Sequence, residues 1–246
     1  MNPLSAFSFG KIIKTFIPGL LAAAAVVLVL ELLYHISSST LCAPRSGFWG
    51  CFFAGSLLRR IVADTARTTA FGALLIPLAL LLGFFLNTVM WFSVNGWCRS
   101  RVERAMGKEF EAARKSLEDD ASFAFRSVIG EAAEVPRVHL HDFYLPLMNL
   151  DKLTFLRESY FSWFEFHFNS VAALFVTAIT YAVTVIVLAS HWSMAVNWLS
   201  HLIVPIVLCA GLGWFLAVAG LGNLRRYQEG FVWLLVGTLH FRLDRS

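Results

Sequence analysis

Charge is the scarcest commodity in this chain. Only 15% of its 246 residues are Asp, Glu, Lys or Arg, while 58% are hydrophobic, and the mean hydropathy is +0.67. A soluble domain carries about 25% charge, so a water-soluble globular protein is excluded and a bilayer is the expected solvent. Alternating apolar and polar residues are also missing from the long hydrophobic runs. LLAAAAVVLVL and GALLIPLALLLGFFL do not fit barrel strands, whose outward and inward residues alternate. Backbone groups in lipid must then be satisfied within helices.

Catalytic signatures are absent as well. The chain has no P-loop, dinucleotide fingerprint, GxSxG elbow or HExxH motif, which removes the common nucleotide, hydrolase and zinc-protease chemistries. Adjacent acids such as Asp119 and Asp120 point different ways on a helix and do not form a catalytic carboxylate pair. The four cysteines include no CxxC and no zinc-type Cys/His spacing. Cys42 and Cys51 share one loop and are the candidate disulfide; Cys98 and Cys209 read as small buried hydrophobes. No catalytic residue, metal or cofactor is expected, and no nucleic-acid contact.

Four apolar runs are long enough to cross a hydrocarbon core of roughly 30 Å, which takes about 20 residues. They are Phe16 to Leu33, Phe71 to Phe92, Val171 to Ala189 and Leu202 to Leu221, and the only charge inside them is Glu31. The first reads as a retained signal-anchor, because its apolar stretch exceeds a signal-peptide h-region and no A-x-A site follows. Between the second and third lies a block, Arg99 to Glu165, that holds 22 of the 36 charged residues and belongs in water. The fold class is therefore all-α, a polytopic four-transmembrane-helix bundle with a cytoplasmic helical hairpin inserted between helices 2 and 3.

The resulting division of the chain is 1–34, N-terminus and first span; 35–70, external loop; 71–98, second span; 99–165, cytoplasmic insert; 166–190, third span; 191–201, short external loop; 202–223, fourth span; and 224–246, cytoplasmic tail. Lys11, Lys14, Arg99, Arg101, Arg104, Lys152, Arg157, Arg225 and Arg226 flank the spans on one side. Positive-inside asymmetry makes that side the cytoplasm, with both termini there and the protein in the inner membrane. Arg45, Arg59, Arg60 and Arg67 in the first loop run against the rule. The stretch GFWGCFFAGSLLRRI (47–61) is too short and glycine-rich to span. It is expected to lie in the interface or to cover the outer end of the bundle, with Trp49 at headgroup level and Arg59 and Arg60 reaching phosphates.

Inside the insert, Val102, Met106, Phe110, Ala113 and Leu117 recur at helical spacing, as do Leu150, Leu153, Leu156, Tyr160, Phe164 and His167. These are two stalks continuing spans two and three, expected to pack antiparallel, with Asn149 or Asp151 capping the second. Pro136 and Pro146 bracket a tip, and His139, His141, Asp142, Phe143 and Tyr144 within it are the candidate partner-binding residues. The metal reading of His139, His141 and Asp142 is the weaker one, since three ligands within four residues rarely converge.

Polar residues within the spans are the remaining candidates. Ser170, Thr177, Thr180 and Thr184 form a stripe with Ala173 on span three that permits close helix approach or lines a conduit, and Glu31 and Asn87 stand out as polar groups in lipid. Gly213, Ala217 and Gly220 make a small-residue ridge on span four, and Gly19 and Ala23 one on span one. The leading expectation is a non-enzymatic membrane module that forms homo-oligomers and uses its cytoplasmic insert to bind or sense a cytosolic or membrane partner. Its most specific form is a pore-opening or membrane-perturbing effector of antiviral-defence type. A small channel or transporter is the alternative, and a lipid-acting enzyme using His139, His141 and Asp142 is third.

Overall fold

A computed structural model describes residues 9–38, 47–129, 150–193 and 197–243. Every regular element among them is helical: α1 (Phe9–Ser37), α2 (Phe48–Ala54), α3 (Leu57–Val62), α4 (Thr65–Ser93), α5 (Asn95–Ala105), α6 (Lys108–Ile129), α7 (Leu150–Leu156), α8 (Ser162–His191) and α9 (Val204–Leu243), with π-helical turns at Arg157–Phe161 and Leu199–Ile203. Four helical stretches are long and apolar enough to cross a membrane: Lys14–Ser37, Thr65–Ser93, Leu150–His191 and Leu199–Val236. The chain forms two compact units, residues 1–92 with 165–219, and residues 93–164 with 220–246.

The first unit is held together by small residues. Ala22 of α1, Leu86 of α4 and Ala173 of α8 share one buried cluster. Gly19 and Gly83 mark how closely α1 and α4 approach: a Cβ on Gly19 would lie 1.7 Å from the Ala79 carbonyl oxygen, and one on Gly83 would lie 2.2 Å from that of Thr15. Glycine is required at both positions because the neighbouring atoms are backbone and have nowhere to go. Ala23 and Ala79 are fully buried beside this crossing.

A second cluster closes one end of the unit. Phe48 and Phe52 of α2 are buried against Val185, Leu188 and Ala189 of α8 and Leu202 of the second π-helical turn. The stretch 47–61 therefore divides into a buried aromatic helix, α2, and an exposed basic one, α3, in which no residue is buried. Asp64 then starts α4, its carboxylate accepting the Ala66 N–H at 3.0 Å, a side-chain cap of ordinary kind.

In the second unit, the expected unbroken stalk after span two is instead two helices, α5 and α6. α4 ends at Ser93 and α5 begins at Asn95; α5 ends at Ala105, and Gly107 turns the chain at φ +87° before α6, a conformation glycine adopts without Cβ strain. The turn resets the helical phase, so Val102 and Leu117 are buried while Ala113 is exposed. On the return side the chain runs without a break into α8, but the π-helical turn inserts an extra residue. The buried seam accordingly passes through Leu153, Phe161, Phe164 and Phe168, one position later than the regular spacing through Tyr160 and His167 indicates.

The C-terminal segment, read from sequence only as a tail, is helical to Leu243. Val232 and Leu235 of α9 share a buried cluster with Leu117 and Ala121 of α6 and Leu153 of α7. Tyr227 of α9 lies 5.1 Å from the Phe161 ring, centroid to centroid. Gly230 gives Leu156 its seat, since a Cβ there would meet Leu156 Cδ2 at 2.6 Å. At 40 residues, α9 is about 60 Å long, roughly twice the hydrocarbon core.

Candidate functional site

Glu31 sits within the apolar run of α1, and it is only 3% exposed. A carboxylate in such surroundings is costly unless its lone pairs are filled. Three donors fill them: Ser56 Oγ at 2.7 Å, the Leu57 N–H at 2.9 Å and the Leu58 N–H at 2.6 Å. The two N–H groups open α3, where a helix has no intrahelical acceptors of its own, and negative charge there is also favoured by the helix dipole. Ser56 adds an ordinary cap, accepting the Arg59 N–H at 3.3 Å. Glu31 is thus a clamp that fixes α3 to α1.

One helical turn on, His35 is completely buried. Its Nε2 stands 3.8 Å from Glu31 Oε2. Its ring lies 5.4 Å from Phe52 and 5.3 Å from Trp192, so the imidazole is walled by aromatic rings from α2 and from the turn after α8. His201 and Trp49 stack at 5.9 Å nearby in the same unit, and the Tyr181 hydroxyl donates to the His201 carbonyl at 2.6 Å. Sequence reasoning did not single out His35; the i, i+4 relation to an intramembrane glutamate was the available signal.

The other polar candidates occupy separate places. Asn169 Nδ2 donates to Asn87 Oδ1 at 3.0 Å, joining α8 to α4, while Asn169 Oδ1 and Ser170 Oγ are buried without a hydrogen-bond partner. The Thr177 hydroxyl donates to the Leu21 carbonyl of α1 at 2.8 Å. Thr180 and Thr184 donate back to Val176 and Thr180 of their own helix, at 2.9 and 2.8 Å. Glu31 is not among the partners of any of these. The stripe on α8 therefore makes one bond between helices at Thr177 and only local bonds beyond it.

An apolar groove of about 480 Å³ runs between α8 and α9, lined by Ala178, Ala182, Ala210, Gly213, Phe175 and Trp214 among others. Gly213 and Ala217 line this groove; a Cβ on Gly211 or Gly213 would meet nothing within 4 Å.

In the second unit the charged face is organised by Arg114. Its guanidinium pairs with Glu103 and its Nε lies 3.0 Å from Glu118, and Gln228 of α9 reaches Glu103 at 3.5 Å. Such exposed pairs add little stability, about 0–1 kcal/mol each. They border a groove of about 440 Å³ lined by Phe110 together with Glu103, Arg104, Glu111, Arg114 and Lys115. Cys98, fully buried in α5, has its thiol pushed up to about 11 by burial, with Arg101 pulling weakly the other way.

His139, His141, Asp142, Phe143, Tyr144, Asn149 and Cys42 lie outside the described residues. Cys51 is disulfide-bonded, and Cys98 and Cys209 are free thiols. No group of three or more His, Cys, Asp or Glu suited to a metal ion occurs among the described residues. Comparison with known protein families, curated proteins and solved structures gives no match.

Proposed function

We propose that this chain is a non-enzymatic module of the inner membrane, a four-helix bundle whose second unit stands in the cytoplasm and binds or senses a protein partner, with the membrane helices assembling as a homo-oligomer. One observation carries the reading: the two kinds of polar group are used differently. Within the spanning helices, Glu31, Asn87 and Thr177 are bonded to other segments of the same chain, whereas the second unit presents a groove lined by charged side chains and Phe110. The basic residues Arg99, Arg101, Arg104, Lys152, Arg157, Arg225 and Arg226 all fall in that unit, which supports a cytoplasmic side for it and for both termini. The open small-residue face of α9 supports assembly with further copies. Opening of a pore by that assembly is the most specific form of the proposal, and the disulfide-bonded Cys51 belongs to the external side in the same topology.

The experiment is capture of the tagged full chain from native membranes in mild detergent, followed by mass measurement of the intact complex. More than one copy is expected, together with a co-captured protein whose retention falls when Phe110→Asp or Arg114→Glu is introduced. A strict monomer with a retained set unchanged by either substitution overturns the proposal. Replacement of His139 and His141 by Ala is expected to leave assembly and activity intact; loss of activity with normal assembly favours the enzymatic alternative.

A further inference from the structure

Of the charged segments, α3 is the one that the fold ties to the ends of two membrane-length helices. Its last residue, Val62, is followed within three residues by α4 at Thr65, and the apolar run of α4 begins six residues later at Phe71, about 9 Å along the helix. From the other side, the Glu31 clamp ties its first turn to the end of α1. Both attachments hold α3 beside the ends of two membrane-length helices, next to the layer where headgroups meet acyl chains if those helices span.

Its composition fits that depth. At 100° per residue, Leu57, Leu58, Ile61 and Val62 share one side of the helix, with Arg59 and Arg60 on the other. Leu58 and Val62 are 38% and 63% exposed, and Phe53 just before is 58% exposed. Neither Arg59 nor Arg60 has a carboxylate partner among the described residues; Arg60 lies over the Tyr34 ring at 5.4 Å. The single acid of the segment, Asp64, pairs with Arg67 at 3.2 Å. The exposed surface is thus a cationic pair bordering an apolar strip, complementary to an anionic phosphate above an acyl chain.

We infer that α3 is a docking surface for anionic phospholipid, with Arg59 and Arg60 on the headgroup phosphate, Phe53, Leu58 and Val62 in the upper acyl layer, and Glu31 holding the helix at that level. The test uses the purified full chain in mixed micelles of phosphatidylcholine and phosphatidylglycerol, counting the phosphatidylglycerol that remains bound. Arg59→Gln with Arg60→Gln is expected to lower the apparent affinity for phosphatidylglycerol roughly 25-fold, about fivefold for each arginine. Arg59→Lys with Arg60→Lys is expected to retain most of it, and raised salt to weaken it. Unchanged retention in the Gln variant overturns the inference, as does a change in copy number with lipid retention intact, which assigns the face to a second copy. Should the variant not fold, a photoreactive phosphatidylglycerol on the unmodified chain decides: adducts are expected within residues 53–62, and adducts confined elsewhere overturn the assignment.

Discussion

The α1–α4 crossing and the membrane half of α9 contain the same small residues in opposite situations. Gly19 and Gly83 have carbonyl oxygens where a Cβ would stand, and Ala23 and Ala79 are fully buried beside them. Gly211 and Gly213 on α9 meet nothing, and no residue in the most apolar stretch of that helix is buried. Small residues permit close approach in lipid but do not compel it; a stripe becomes an interface only where a second backbone arrives. The contrast separates a contact that the single chain completes from one left for lipid or for another copy.

The strongest way to break this comparison is to give the crossing a side chain. Gly19→Leu is expected to cost about 4 kcal/mol or more and to abolish folded protein, because the obstacle is backbone and cannot relax; gel-filtration yield and thermal denaturation in detergent read it. Glu31→Leu comes next, at about 3 kcal/mol, since it strands three donors. Protease cleavage within residues 55–64 should rise with it while the α1–α4 contact persists. Asn169→Leu is expected to cost about 1 kcal/mol, in line with single hydrogen bonds between membrane helices.

At the other pole, Gly213→Ala should shift stability by less than about 1 kcal/mol, and toward greater stability through helix propensity. A loss of several kcal/mol confined to the assembled state would show that a second copy closes over α9. The smallest response belongs to Cys98. With its thiol at about 11, the reactive thiolate is scarce at neutral pH. Alkylation should be slow at pH 7, speed up as pH rises toward 11, and become rapid at pH 8 only after denaturation.

How much of this was legible beforehand depended on distance along the chain. The spans, the charged block and the helical character of both stalks followed from local runs and spacing, and Glu31 and Asn87 were visible as polar groups among apolar ones. Their partners were not. Ser56 lies 25 residues from Glu31, and Asn169 lies 82 from Asn87, so the pairings depend on how the chain turns back, which no window of neighbouring residues encodes. The Ala79-x-x-x-Gly83 spacing on α4 is a small-residue signal present in the sequence itself. His35 was readable as the i, i+4 neighbour of Glu31, but its aromatic wall comes from α2 and Trp192, in distant segments. The one-residue shift of the seam after Arg157–Phe161 had no local signature, because a π-helical turn changes phase without changing composition.

By itself, then, the sequence determined an all-helical chain with four membrane-length helices, since hydrocarbon offers no partner for a backbone group and only a helix satisfies its own. It also concentrated 22 of the 36 charges in one block between the second and third apolar runs, where burial in hydrocarbon would be too costly. Tertiary structure alone decided which glycines became contacts, that a buried glutamate would start a short basic helix, and that the C-terminal segment would complete the core of the second unit. Those outcomes hang on which helix faces meet, and faces of equal hydrophobicity are told apart only by the backbone and side chains that arrive opposite them.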